Sequence, residues 1–262
     1  MSLDHEHLHH FAHSLMDAGH SLTPIAPFTD EAPDMEVADA YEIAEDIIGH
    51  KIGDGRKIVG MKVGVTTAGA MKAFGMDTPA YGILLDDMTV RDGGRVKSSS
   101  LIQPKIEAEI AFRFKAPLQG PGVDVAAVLA ATEYVFPALE IIDCRFEGWR
   151  VKQQDLISDN TASALVVLGN THLSPTELDL AAEEAVMEVD GFETGRGTGA
   201  EVLGHPAEAI AWLANKLGEQ GRGIQAGQFV IPGSVVTPPL VVKGNKVTVA
   251  YANLGVVSVS FV

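Results

Sequence analysis

Only one cysteine, Cys144, occurs in 262 residues. No intrachain disulfide can form, and a reducing, cytoplasmic setting is expected. Basic residues are scarce as well, 19 against 35 acidic ones, for a formal net charge of -16. That balance argues against a nucleic-acid partner, because phosphate binding needs a basic surface. It also repels an anionic ligand at long range, so an acidic substrate must be held locally, by a metal or a few placed Lys or Arg side chains. No apolar run approaches the roughly 20 residues of a membrane helix. The start, Met1-Ser2-Leu3-Asp4-His5-Glu6-His7, has neither the basic opening nor the apolar core expected of a secretory leader. Internal repeats, low-complexity tracts and a G-x-G-x-x-G run are all missing, so neither a solenoid nor a dinucleotide fold is expected.

What remains is an ordinary globular composition, 46% hydrophobic and 21% charged. The length suits one large domain, or one domain with a small appendage. Helical spacing of Leu8, Phe11, Leu15 and Met16 predicts a helix over residues 4–18. Six of the nine histidines fall in the first twenty residues; a His-rich tract can bind metal, but here it reads as the polar face of that helix. Pro24, Pro27 and Pro33 mark a connector. Asp34 is then expected to cap a second helix with Val37, Ala40, Ile43, Ala44, Ile47 and Ile48 on its apolar stripe. These elements form a helical amino-terminal region, residues 1–56.

From Lys57 the pattern turns to strands. Ile58 to Val65 is branched and glycine-punctuated. A brief helix is predicted over 68–74, a turn between Pro79 and Gly82, and a helix over 125–131. Further strands are expected near 164–169 and 186–189, the second ending in an Asp190-Gly191 turn. Pro206 opens a helix that Gly218 closes, and three short strands fill the tail. Many short strands with few helices between them argue against a doubly wound parallel sheet and for an α+β chain with a β domain over residues 57–262.

Two acid-bearing stretches stand out. In Pro104-Lys105-Ile106-Glu107-Ala108-Glu109-Ile110-Ala111-Phe112 the alternation predicts a half-buried strand with Ile106, Ala108, Ile110 and Phe112 inward. Glu107 and Glu109 then share the other face, roughly 6.6–7 Å apart. Either that face is wet, or a hard divalent cation lies between the carboxylates. Glu140, inside Phe136-Pro137-Ala138-Leu139-Glu140-Ile141-Ile142-Asp143, is a third acid in an apolar run, where Glu is rare unless paired or metal-bound. Lys62 in its strand either snorkels to solvent or works desolvated, with a lowered pKa, in proton transfer. It can equally serve as a fixed cation for a substrate carboxylate. Asp159 to Ser163 reads as an Asx-type turn or as the edge of a site; Gly233-Ser234 is a turn able to lend N–H groups. His205 is read as a helix-cap neighbour and Cys144 as structural.

The runs Gly60-Met61-Lys62-Val63-Gly64-Val65-Thr66-Thr67, Pro79-Ala80-Tyr81-Gly82, Asp159-Asn160-Thr161-Ala162-Ser163 and Gly204-His205-Pro206, with the two acid-bearing strands, occur in one order. From about Asp39 to Val262 they resemble the 2-oxopent-4-enoate hydratase and 2-oxo-3-hexenedioate (4-oxalocrotonate) decarboxylase family of the fumarylacetoacetate hydrolase superfamily. The resemblance implies that superfamily's mixed β-roll or sandwich. It implies a lyase of aromatic meta-cleavage catabolism with Mg²⁺ or Mn²⁺ on Glu107, Glu109 and Glu140. Lys62 and Ser163 are the implied catalytic residues, and Lys62, Tyr81, Ser163 and Ser234 the implied substrate contacts. The implied ligands are a 2-oxo dicarboxylate or a 2-hydroxydienoate. Homo-oligomerisation is implied too, as is association with a related hydratase or decarboxylase. Hydratases of the family show Pro-Asp-Phe-Gly where Ala80-Tyr81 stands here, which favours decarboxylation of 2-oxo-3-hexenedioate. Ser163-Ala164-Leu165-Val166 and Trp149 look more like a hydratase, so 2-oxopent-4-enoate hydratase remains the alternative, a weakly active partner subunit a further one. A carbon–carbon hydrolase of the wider superfamily would need a His/Glu base, and no histidine before Thr66 suits that role.

Overall fold

A computed structural model describes residues 3–262. Its helices are α1 (His5–Ser21), α2 (Phe28–Glu31), α3 (Val37–Gly53), α4 (Ala68–Phe74), α5 (Val125–Ala131), α6 (Gln153–Ser158) and α7 (Pro206–Gly218). Its strands are β1 (Ile58–Gly64), β2 (Ala80–Leu85), β3 (Thr89–Arg91), β4 (Gly94–Val96), β5 (Lys105–Phe114), β6 (Thr132–Ile142), β7 (Ser163–Leu168), β8 (Glu184–Val189), β9 (Phe192–Thr198), β10 (Phe229–Ile231), β11 (Lys246–Tyr251) and β12 (Gly255–Phe261).

The strands make two sheets: a seven-stranded one ordered β2-β1-β10-β5-β6-β7-β3, and a five-stranded one ordered β4-β12-β11-β8-β9. Most neighbours are antiparallel; β1 with β10, β3 with β7 and β4 with β12 run parallel. The long β5–β6 pair is the spine. Ile106, Ala108, Ile110 and Phe112 are fully buried in the main core, with Val247, Val249, Val257 and Val259 of the second sheet and Ile210, Leu213 and Leu217 of α7. Burying each large apolar side chain there contributes about 1.5–3 kcal/mol.

The other face of the seven-stranded sheet is not wet. Its own Leu84, Ala111, Phe136, Ala138, Val166, Phe229 and Ile231 form an apolar cluster with Ile48 of α3. Helices α1 to α3 share a core with residues across the expected boundary at 56/57: Leu8, Phe11, Phe28 and Ile43 pack with Ile142, Cys144, Phe146, Leu156 and Ile157. Both faces of β5 and β6 are therefore covered, and the acids on them are taken out of water.

Several local expectations change. The second long helix is capped by Glu36, whose N–H donates to the Asp39 carboxylate at 2.9 Å, and not by Asp34. The proline-rich connector holds the short helix α2, with the Thr29 N–H and hydroxyl donating to Asp155 at 3.0 and 2.7 Å. Residues 80–82, read as a turn, are strand: β2 pairs with β1 in register Val63↔Tyr81 and Lys62↔Gly82. The Asp190-Gly191 turn opens a hairpin whose second strand, β9, is glycine-rich and exposed and was not legible as a strand. At α7, His205 is the N-cap, its Nδ1 accepting from the Ala207 N–H at 3.0 Å.

Candidate metal and proton-transfer site

Strand alternation and register bring four charged side chains to one face. Glu107 and Glu140 are directly opposite in the β5–β6 pair. Glu109 is two residues along, and Lys62 comes from β1 two strands away, across β10. One oxygen from each of Glu107, Glu109 and Glu140 lies within 4.8 Å of the other two. Glu109 and Glu140 are completely buried; Glu107 retains some exposure and opens the cluster outward.

Like charges this close cannot all ionise without a counter-ion. Burial pushes the Glu107 carboxyl up to about 8, with the Lys62 ammonium opposing the rise and Glu140 adding to it. Glu109 is pushed well above the ordinary carboxylate range by burial and by repulsion from Glu140 and Glu107. Lys62 Nζ is 3.2 Å from Glu140 Oε2 and donates to the Thr161 carbonyl at 2.9 Å. Burial disfavours its charge, but Glu140, Glu107 and Glu109 outweigh that and hold its pKa above the ordinary ammonium value. The expected lowering of the lysine pKa is thus reversed, because three acids surround one base.

The carboxylates fit a hard divalent cation on two observations. Glu109 Oε1 and Glu140 Oε1 are buried with no hydrogen-bond partner, a costly state, and Glu140 Oε2 has only its ion pair with Lys62. The donor set is also all oxygen, which suits Mg²⁺ or Mn²⁺. One Glu109 oxygen is already taken: Gly233 N–H donates to Oε2 at 2.6 Å. Gly233 has φ 123°, and a Cβ there would lie 2.0 Å from Thr66 Oγ1, so only glycine brings this N–H to the acid. Beneath, the Tyr251 hydroxyl donates to the Glu109 carbonyl at 2.7 Å, tying the second sheet to β5.

The segment after α6 completes the lysine's surroundings. Asn160, Thr161 and Ala162 all have positive φ, 51–56°, a backbone state that costs about 1–3 kcal/mol per residue and recurs at functional sites. The strain is held by β2: the Asn160 side chain accepts from Ile83 N–H at 2.8 Å and donates to its carbonyl at 2.9 Å, and Thr161 Oγ1 donates to the Tyr81 carbonyl at 2.8 Å. Gly64 and Gly82 leave room for it, since a Cβ at either would meet Thr161 Cγ2 or the Asn160 carbonyl at 2.6–2.7 Å. The sequence places Asp159 to Ser163 at the edge of a site but assigns no role to Asn160 or Thr161, nor to these two glycines. Glycines interrupting otherwise apolar strands were the signal available.

Other predicted residues are placed differently. Tyr81 alternates to the opposite face from Lys62 and stacks on Tyr41 with centroids 4.5 Å apart, so the structure does not bring its ring to the cluster. The Ser234 hydroxyl is engaged within its own turn, donating to the Val236 carbonyl at 2.7 Å and accepting from the Ala108 N–H at 3.2 Å. Ser163 is buried with an unpartnered hydroxyl. It lines a cavity of about 340 Å³ walled by α1, α3 and Arg145, and none of the three glutamates nor Lys62 is in that wall. Cys144 is buried, and burial pushes its thiol up to about 12. Ala80 stands opposite Gly64, and a Cβ on Gly64 would be 3.3 Å from Lys62 Nζ. Its methyl therefore occupies the lysine's face of the sheet.

No protein-family model matches the chain. It is 43% identical to a 4-oxalocrotonate decarboxylase of Pseudomonas sp. (strain CF600), over 91% of this chain and 90% of that protein. It is 40% identical to a 2-hydroxyhexa-2,4-dienoate hydratase of Comamonas testosteroni, over 94% of each. The chain belongs to the 4-oxalocrotonate decarboxylase and 2-keto-4-pentenoate hydratase family. A solved member, the 4-oxalocrotonate decarboxylase from Pseudomonas putida G7 complexed with magnesium and adipate, superposes with a TM-score of 0.97 at 40% identity over 99% of both chains. A fumarylpyruvate hydrolase from Pseudomonas aeruginosa shares the fold, with a TM-score of 0.59 at 15% identity. A putative fumarylacetoacetate hydrolase family protein from Yersinia pestis CO92 shares the fold as well, with a TM-score of 0.56 at 14% identity.

Proposed function

We propose that this family member is a divalent-metal-dependent lyase that decarboxylates 2-oxo-3-hexenedioate to 2-hydroxypenta-2,4-dienoate. Glu107, Glu109 and Glu140 would hold Mg²⁺, as the magnesium complex of the related decarboxylase supports. When bound, the cation supplies a Lewis acid that withdraws negative charge developing on the substrate's ketone oxygen. The chain's residues do the rest. Lys62, charged and fixed between Glu140 and Thr161, is poised to deliver a proton once the distal carbon–carbon bond has broken and its electron pair has moved through the conjugated chain. Carbon dioxide leaves and the oxygen is protonated, so atoms and charge balance. Ser163 lines a separate cavity with Asp143, Arg145 and Asn160 and takes no part in this step.

The observation that carries the choice of decarboxylation is Ala80 on the lysine's face. An aspartate there would pair with Lys62 and provide the second acid/base group that steers water onto an alkene; a methyl cannot. Loss of carbon dioxide needs only an electron sink and one proton donor. The hydratase reading stays second because relatives of both names match at 39–43% identity. A cytoplasmic homo-oligomer acting in aromatic meta-cleavage catabolism, beside a related hydratase, fits the family and the lone buried thiol; among the described residues no helix is long and apolar enough to cross a membrane. The test is purified protein with Mg²⁺ and each substrate. Carbon dioxide release from 2-oxo-3-hexenedioate is expected; water addition to 2-hydroxypenta-2,4-dienoate without that release would reverse the order.

A further inference from the structure

The polar face of α1 meets α3 at a cluster of imidazoles that the lyase reaction does not use. His9 and His13 stand one turn apart on α1, and His50 lies near the end of α3. One ring nitrogen from each lies within 4.8 Å of the other two. His9 Nε2 and His13 Nε2 are 3.1 Å apart, and the His13 and His50 rings have centroids 5.2 Å apart, edge to face. A tetrahedral ion with nitrogen ligands at about 2.0–2.1 Å holds them roughly 3.3 Å from one another. Small rotations of part-exposed rings close the remaining gap.

Asp46, one turn before His50, supplies the outer support. Its Oδ2 is 2.8 Å from His9 Nδ1, and its Oδ1 is 3.6 Å from His50 Nε2. A carboxylate at Nδ1 fixes the ring proton there and leaves the Nε2 lone pair turned toward His13, the arrangement that orients histidine ligands in metal sites. Amphipathic spacing alone explains polar residues on α1. It does not explain three imidazoles from two helices converging with one of them oriented by an acid.

We propose that His9, His13 and His50 form a second cation site, selective for a borderline transition ion of the Zn²⁺ class, with Asp46 as positioning residue. Imidazole nitrogen suits Zn²⁺, Co²⁺, Ni²⁺ or Cu²⁺, whereas Mg²⁺ takes oxygen ligands. The two sites therefore sort their ions by ligand chemistry. An ion on the histidines cross-links α1 to α3, the two helices that wall the cavity containing Ser163.

The experiment titrates the full chain with Zn²⁺ in saturating Mg²⁺, following stoichiometry and affinity by calorimetry. One equivalent is expected to bind, at least tenfold more weakly in His13→Ala, and about 10–100-fold more weakly in Asp46→Asn, the range for lost outer-shell partners. Glu109→Gln should keep that equivalent. Co²⁺ should give the intense visible bands of a four-coordinate site of three imidazole nitrogens and one water in the unmodified protein and in Glu109→Gln, but not in His9→Ala/His13→Ala. Circular dichroism checks that the surface variants remain folded. Zn²⁺ binding that Mg²⁺ abolishes, or that falls in Glu109→Gln while persisting in the double histidine variant, overturns the proposal.

Discussion

The two clusters of candidate ligands differ in what the fold does to them. Glu107, Glu109 and Glu140 project from a sheet covered on both faces, so their charges are desolvated and coupled to one another and to Lys62. His9, His13 and His50 sit at a part-exposed helix–helix seam where water satisfies whatever they do not. The buried cluster accordingly governs stability and acid–base behaviour, while the seam can change occupancy with little cost to the fold.

The largest effect should come from removing the single base. In chelator at neutral pH, Lys62→Met leaves the buried acids without a counter-charge and should cost about 3–5 kcal/mol in urea unfolding. Glu140→Gln should cost less, because Glu107 or Glu109 can ionise in its place. Equal losses would show that the acids do not share one charge. Both variants should lack decarboxylation.

Next is pH. Glu107 titrates near 8 in the fold against an ordinary value of 4.5. The folded state thus binds its proton more tightly, and the stability this contributes is complete below about 4.5 and lost as pH rises through about 8. Metal-free protein should lose melting temperature across that window, and Glu107→Gln should flatten the slope. Because Mg²⁺ binds the ionised form, the gain in melting temperature on adding it should grow with pH. A Mg²⁺ gain independent of pH would separate the cation from these acids.

A smaller change tests the chemistry. Ala80→Asp, placing a carboxylate on the lysine's face, should lower decarboxylation at least tenfold and raise water addition relative to it. An unchanged product ratio would remove Ala80 as the discriminator. Smallest of all, Tyr81→Phe should leave kcat/KM within about twofold, since a change away from the reacting groups costs roughly 0.5 kcal/mol or less. A tenfold loss would return Tyr81 to the substrate.

Much of the pattern was local. The alternation of 105–112 specified which side chains of β5 turn inward, and Pro206 and Gly218 delimit α7 to the residue. Where neighbours in space decide, local pattern was silent. Residues 80–82 carry turn-forming types, yet pairing with β1 makes them strand. The wet face allowed for Glu107 and Glu109 is largely closed, with Glu109 fully buried, because Ile48 of α3, far off in the chain, packs with the apolar residues of the same sheet. Tyr81 and Ser234 carry hydroxyls close in sequence to Lys62-facing positions, and one residue of alternation or one turn hydrogen bond takes them away.

Residue order alone determined the strand period of β5, the ends of α7 and the identity of three acids and one lysine in apolar runs, because these follow from side-chain volume, polarity and the two-residue repeat of an extended chain. That the acids meet within one ion's reach, that they outnumber and raise the lysine instead of being lowered by it, and that a strained Asn160-Thr161-Ala162 carbonyl completes its shell, only the tertiary structure decided. Coulomb energy and desolvation depend on distances between strands that are remote along the chain, and those distances exist only after the sheet has closed.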